Sequence, residues 1–300
     1  MTEQPPPPRG SAAEFDDRRN VRLYDLTQPL IVNKTPICQA VAELLRQRPR
    51  TPRIAELGCG TGLFSLPALT ALDSFDYLGL DASGAMIQVL REKLERQPVR
   101  GSTSFLSGCD LRQRDAYEAV WQFQPDVVIS AQFLQYIPVQ PPSEPSATQL
   151  SRPRFLQLCR SKLPADGLLV LFEDVAGETQ QETYELGAAW DARVIQQYRE
   201  HPELLERVAE LDTDFVRAVK RAMDNPQIMA LVRERRRSAR GEKILPLSTY
   251  KDMFQQAGFA ATIWQHPELA NFYLFVLEPG DPIPESARPS PGWIRTVGSW

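Results

Sequence analysis

The sequence predicts an α/β fold: a mostly parallel sheet with helices on both faces, interrupted late by a helical insertion. Three observations carry this. Short apolar segments (Arg53 to Leu57, Phe75 to Leu80, Asp126 to Ser130, Gly167 to Phe172) alternate with helical patterns, and near-continuously apolar strands are those buried on both faces. The first of them runs directly into a glycine-rich turn, Gly58-Cys59-Gly60-Thr61-Gly62, that opens a helix. After Asp174 the alternation stops, residues 178–240 read as helix, and the strand–helix rhythm then resumes.

Residues 34–48 set Ile37, Val41, Leu44 and Leu45 at helical spacing, with Thr35-Pro36 as cap and first turn. Arg53 to Leu57 is a short strand, and residues 62–72 return to a helical pattern. Phe75 to Leu80 is a strand ending at Asp81, and residues 83–97 form an amphipathic helix capped by Ser83. Ser104 to Leu106 is a weak strand before Gly108-Cys109-Asp110-Leu111. Asp126 to Ser130 is followed by a short helix, a proline-rich loop (Pro138 to Pro153), a helix over 153–163 and the strand Gly167 to Phe172. The insertion divides into two or three helices at His201-Pro202 and Asn225-Pro226. Leu247 to Ala257 is a helix closed by Gly258, and Ala260 to Trp264 and Asn271 to Leu277 are the last strands. The organisation is therefore a proline-rich arm (1–19), a sheet domain (20–177 and 244–278), a helical lid (178–243) and an extended C-terminal tail (279–300).

The 300 residues are 42% hydrophobic and 24% charged, with a net charge of −4. That balance suits a globular domain and exerts no global pull on nucleic acid or an anionic membrane. Four cysteines stand singly and there are two histidines, so neither a metal site nor a disulfide framework is expected and a reducing cytoplasm fits. The start, MTEQPPPPRG, lacks the apolar core of a signal peptide, and no run has the length to cross a bilayer.

The chemistry is expected at the glycine-rich turn. Its glycines allow a sharp turn and close approach to a ligand, and the following helix offers free N–H groups. An acid, Glu56, stands two residues before the first glycine. A carboxylate there disfavours an anion and suits a ligand with a charged amine and a sulfonium. Asp81 ends the next strand, where an acid accepts ribose hydroxyls; it is alternatively a cap for the helix at 83. Asp110, after the third strand, can accept an amino group of a base while Leu111 packs the ring.

In series, Glu56 to Gly62 (ELGCGTG), Gly79 to Ser83 (GLDAS), Cys109-Asp110-Leu111, Asp126 to Ser130 (DVVIS), Gly167 to Leu171 and Ala257-Gly258-Phe259 resemble the ordered motifs of class I S-adenosylmethionine (SAM)-dependent methyltransferases. The resemblance covers roughly residues 20–177 and 244–278. It implies a Rossmann-like, seven-stranded sheet with an antiparallel last strand, and SAM bound at the strand C-termini. Carried onto this sequence, it has Glu56 orient the methionine amine and Gly58, Cys59 and Gly60 approach the methionine part. Asp81 takes the ribose, Ala82 and Met86 flank the adenine, and Asp110 and Leu111 meet its edge. Ala131 and Gln132 line the sulfonium side. Tyr24 either covers the cofactor or packs in the core.

Several families of this class carry Glu-His where Gln135-Tyr136 stands; others, among them malonyl-carrier-protein and trans-aconitate methyltransferases, carry Gln-Trp. This sequence is more similar to the second group, which implies no histidine base. Gln135, Tyr136 and Glu173 are the catalytic candidates, with Asp174, His201 and His266 as further titratable groups. His266 reads as a surface residue. Trp190, Tyr198, Phe215, Met223 and Met229 either line a substrate pocket or pack the lid. The basic stretch 233–243 holds six basic and two acidic residues; it is a solvated face, or it supplies Arg237 to a substrate carboxylate. The expected function is methyl transfer to a small molecule through a carboxylate or other oxygen. A tRNA-modifying or SAM-analogue-using enzyme and a non-catalytic SAM-binding scaffold remain alternatives. The lid helices also offer a surface for a homodimer.

Overall fold

The computed structural model describes residues 15–48, 50–97, 99–140, 149–225, 227–231, 233–234, 243–280 and 295–299. Its centre is a sheet with the strand order β3-β2-β1-β4-β5-β8-β7-β9. These are β1 (Arg53–Leu57), β2 (Phe75–Asp81), β3 (Gly101–Ser107), β4 (Val127–Ala131), β5 (Leu168–Ala176), β7 (Ala260–Gln265), β8 (Phe272–Glu278) and β9 (Arg295–Ser299). A two-residue strand, β6 (Leu245–Pro246), pairs with the end of β5. β1 to β5 are mutually parallel, and β8 runs antiparallel between β5 and β7. The reversal of strand order at β1 and β4 opens a crevice at their carboxyl ends, where ligands of such sheets bind.

Alternation along each strand builds two apolar layers. Ala55, Leu57, Val128, Leu169 and Leu171 belong to one, with α6 (Arg152–Lys162) and α10 (Leu247–Gln256). Ile54, Val127, Ile129, Val170 and Phe172 belong to the other, with α2 (Thr35–Arg46) and α3 (Ser65–Leu69). Each inner strand is thus apolar on both faces, as its sequence requires. Between β2 and β3, α4 (Gly84–Arg96) sets Ile87 and Leu90 against Cys59 of the glycine turn. Residues 114–123 form a 3₁₀ turn and a short helix, α5 (Glu118–Phe123).

The insertion is α7 (Gln180–Glu200), α8 (Pro202–Leu211) and α9 (Thr213–Asp224). Thr179 and Glu182 close a reciprocal capping box at its start. Val194, Tyr198, Leu204, Val208, Val216 and Val219 form its own core, which Leu23 and Leu26 of α1 (Arg18–Ile31) complete. The N-terminal helix therefore belongs to the lid as much as to the sheet. Among the described residues, no helix is long and apolar enough to cross a membrane.

Several expectations need correction. The sheet path has eight strands and not seven, because the C-terminal tail returns as β9 along β7. The proline-rich arm ends sooner than expected, because α1 starts at Arg18 with Asp17 capping it through the Arg19 N–H at 2.8 Å. Helix α3 is shorter than residues 62–72, since the glycine turn uses up its start. Lys34, and not Thr35, occupies the cap position of α2. A second lid break falls at Asp212, whose side chain accepts the Phe215 N–H at 2.9 Å and so starts α9 without a proline or glycine.

Candidate active site

β1 delivers the chain to Gly58, whose N–H and that of Cys59 both donate to the Leu80 carbonyl, at 2.8 and 3.0 Å. Gly58, Gly60 and Gly62 have φ of +70°, +53° and +75°, a region that L side chains adopt only at a cost. Their surroundings differ. A Cβ at Gly58 would press on Phe133 at 3.2 Å, one at Gly62 would overlap Leu90, and one at Gly60 would meet nothing within 4 Å. Asp81 then fastens the turn: Oδ2 accepts the Gly60 N–H and Oδ1 the Ser83 N–H, each at 2.8 Å. Burial raises the Asp81 pKa against these bonds. Ser83 caps α4 through the Met86 N–H at 3.1 Å, so Asp81 is not the cap of that helix.

A cavity of about 470 Å³ lies between the strand ends and the lid. One half is walled by Gly58, Gly60, Asp81, Ala82, Met86, Asp110 and Leu111, with Tyr24 from α1 and Ala131 and Gln132 from the end of β4. Ten of the twelve residues expected near a cofactor therefore share one wall. Tyr24 meets Phe15 edge-on at 5.9 Å. Its neighbour Asp25 holds α1 down, accepting from Thr61 Oγ1 at 2.6 Å and from Lys93 Nζ at 2.5 Å.

Glu56 and Cys59 stand apart from that wall. Glu56 shares the strand face of Ile54, so it lies under the turn, 1% exposed, and accepts from the Tyr77 hydroxyl. Burial lifts its pKa to about 7 despite hydrogen bonds from Ser65 and Tyr77 and the nearby Lys34. Cys59 does not line the cavity, its side chain being packed against Ile87 and Leu90. Asp110 is gripped by Arg112, with Nε to Oδ1 at 2.8 Å and Nη2 to Oδ2 at 3.1 Å. Partial burial opposes its ionisation, but that fork outweighs burial and holds the carboxyl below its ordinary range. Arg112 lines the cavity too; sequence reasoning did not single it out.

The other half is walled by Gln135, Tyr136, Asp174, Trp190, Val194, Tyr198, Phe215, Val219, Met229 and Arg233. Glu173, expected here, is instead 0% exposed on the opposite face of β5, where it accepts the N–H groups of Phe133 at 3.2 Å and Leu134 at 2.9 Å. Burial raises its pKa to about 8. The adjacent Asp174 is the one that lines the cavity. Arg152, also 0% exposed, donates to the carbonyls of Ile137 at 2.9 Å and Gln135 at 3.1 Å and to that of Lys243. Two buried ionisable side chains thus shape the 132–137 wall, in which Gln132 takes a positive φ of 56°.

Arg237 lies outside the described residues. From the same basic stretch, Arg233 reaches the cavity, paired with Asp191 and bonded to the Gly187 carbonyl. Met223 packs in the lid core, whereas Met229 both packs there and reaches the cavity. His266 is not a surface residue. It is 2% exposed, with Nε2 2.7 Å from the Asn33 carbonyl and Nδ1 accepting the N–H groups of Glu268 and Leu269 at 3.1 and 3.2 Å. Nε2 therefore carries the proton, and burial lowers its pKa.

Residues 55–167 match a family model described as a methyltransferase domain. No curated protein matches the sequence. Among solved structures, the fold is similar to that of an O-methyltransferase family protein from Burkholderia thailandensis, at 12% identity and a TM-score of 0.57, over 90% of this chain and 63% of that one. It is also similar to the CurJ carbon methyltransferase, at 15% identity and a TM-score of 0.52, over 90% of this chain and 61% of that one. The chain thus spans less than two thirds of the length of either, and at these identities the likeness is one of fold.

Proposed function

We propose that this chain, whose residues 55–167 match a methyltransferase domain, is a class I SAM-dependent enzyme that transfers a methyl group from SAM to the oxygen of a small molecule. The observation that carries the reading is Gly60. Its backbone is in the cavity wall, its N–H is fixed by Asp81, and the space a side chain would fill is open. That is the room a ligand needs to lie against the backbone. Asp81, Ala82, Met86 and Leu111 supply an acid and an apolar slot beside it, the combination suited to a ribose and a purine.

Bound SAM would supply an electrophilic methyl on a sulfonium. The protein's share is alignment and exclusion of water. Gly58 and Gly60 would hold the methionine part by backbone, Asp81 the ribose hydroxyls, and Ala131 and Gln132 the sulfonium side. Glu56 would act through the turn it underlies and not by direct contact. Tyr24, latched through Asp25, would cover the cofactor, and Gln135 and Tyr136 would position the acceptor. Trp190 and its lid neighbours would enclose it.

Calorimetry with SAM and with its demethylated product, S-adenosylhomocysteine, tests the assignment. Both should bind the wild-type protein, and Asp81→Ala should weaken both by about tenfold or more, the loss expected for a pair of hydroxyl contacts to a carboxylate. Absence of binding by either ligand to the wild-type protein rejects the cofactor.

A further inference from the structure

We infer that the lid half of the cavity takes an acceptor with an apolar, ring-bearing body and a hydroxyl head, and that Asp174 receives the hydroxyl proton. This rests on the methyl-donor reading above and deepens it. The body follows from the wall: Trp190, Tyr198, Phe215, Val219, Met229 and Phe272 all line it. Tyr198 and Phe215 already meet edge-to-face, at 6.4 Å and 70°, a geometry into which a further ring packs favourably. Desolvation of an apolar ligand on such a surface supplies affinity, while a few placed polar groups fix its orientation.

Asp174 is that placed group. Strand alternation turns it away from Glu173 and into the cavity, where it is 6% exposed. Asn271 Nδ2 holds its Oδ1 at 2.8 Å, which fixes the carboxylate orientation. Gln132, on the wall of the cofactor half, donates to the Phe172 carbonyl at 2.6 Å. Asp174 therefore stands two residues beyond the point where β4 and β5 last meet, at the border of the two halves. In the step, the acceptor oxygen bonds to the methyl carbon as the carbon–sulfur bond breaks. Its electron pair stays on sulfur, and the hydroxyl proton passes to the Asp174 carboxylate.

A panel with one body and three heads tests this: 2-naphthol, 2-naphthoate and 2-naphthylmethylamine. Binding to the protein loaded with S-adenosylhomocysteine is read by calorimetry, and transfer is read from isotope-labelled SAM. The naphthol should bind and be methylated. Asp174→Asn should keep the affinity for S-adenosylhomocysteine within about threefold, weaken naphthol binding by about tenfold, the loss of one hydrogen bond to a charge, and cut transfer by about 100-fold or more. Val219→Trp, which fills the apolar half, should retain S-adenosylhomocysteine binding and lose naphthol binding. The inference is overturned if no panel member binds the loaded protein, if the naphthol receives no methyl group, if Asp174→Asn transfers at the wild-type rate, or if the naphthoate alone is methylated. If S-adenosylhomocysteine itself fails to bind wild-type protein, the methyl-donor reading falls instead.

Discussion

Glu173 and Leu134 are joined across the end of the sheet, the buried carboxylate accepting the Leu134 backbone N–H at 2.9 Å. The same oxygen takes the Phe133 N–H at 3.2 Å, and Arg152 holds the carbonyls of Gln135 and Ile137 from below. A stretch of cavity wall is therefore held by side chains that never reach the cavity. Glu173→Ala would strand two buried N–H groups and remove the acid that stands near Arg152. We expect a stability loss of about 2–4 kcal/mol in urea denaturation, from the two unsatisfied donors. In the folded protein, affinity for S-adenosylhomocysteine should change little while turnover falls, because the damaged wall belongs to the proposed acceptor side. An unchanged turnover would show that the wall keeps its shape without Glu173.

Glu56 gives a pH signature. Its folded pKa is about 7 against an ordinary 4.5, raised by burial. The folded protein therefore holds a proton that the unfolded chain releases between those values. The sign follows from linkage: the contribution is fully present below pH 4.5, declines as pH rises, and is lost above about 7. Over that window the wild-type protein should lose about 3 kcal/mol that Glu56→Gln does not lose, the glutamine being neutral throughout. Stability curves of the two proteins against pH, subtracted, isolate this group from Glu173, which remains in both.

The latch on α1 is testable in the same way. Asp25 joins α1 to Thr61 of the glycine turn and to Lys93 of α4. Its ion pair with Lys93 is only about three-quarters buried, at 26% and 22% side-chain exposure. Its value to global stability should therefore be modest, about 1 kcal/mol. Its value to the cover proposed for Tyr24 should be greater. Asp25→Asn is expected to raise the KM for SAM by about three- to tenfold with kcat little changed, the pattern of a lost binding contact. Hydrogen exchange over 18–31 should quicken in the variant.

How far the sequence reaches can be seen at β5. The strand was recognisable because Leu168 to Phe172 are all apolar and lie between two helical layers. The same property hides which face each residue takes, since a strand buried on both sides has no polar alternation to read. Glu173 and Asp174 were both visible as acids at the strand end, but only the pairing with β4 and β8 assigns one to the interior and the other to the cavity. Glu56 has the same history. Its place before the glycines was plain, while its turn toward Tyr77 depends on Ile54 facing α2. The cavity-lining positions at and just after strand ends, Asp81, Ala82 and Asp110, were accessible from spacing because the chain leaves each strand end on the same side of the sheet. Helix α1 was missed because RRNVRLYDLTQPLI is mostly polar and contains Pro29; Leu23 and Leu26 find their partners in helices nearly 200 residues later.

The glycine turn offers a contrast between two substitutions of the same kind. Gly60 and Gly62 both sit at positive φ, so alanine at either position costs about 1–2 kcal/mol in backbone strain. At Gly62 the new methyl would also collide with Leu90 of the α4 core, so repacking should add a further 1–3 kcal/mol or so to the loss. At Gly60 the methyl meets no atom within 4 Å beyond its own chain neighbours and projects into open space beside the cavity wall. The two variants should therefore separate stability from binding. Gly62→Ala should be the less stable in urea, yet its folded fraction should bind S-adenosylhomocysteine within about threefold of wild type, as expected of a change confined to packing beneath the loop. Gly60→Ala should be the more stable of the pair and bind at least about tenfold more weakly, because its methyl occupies space the ligand needs. If instead Gly60→Ala binds as wild type does, the ligand does not lie against this part of the turn.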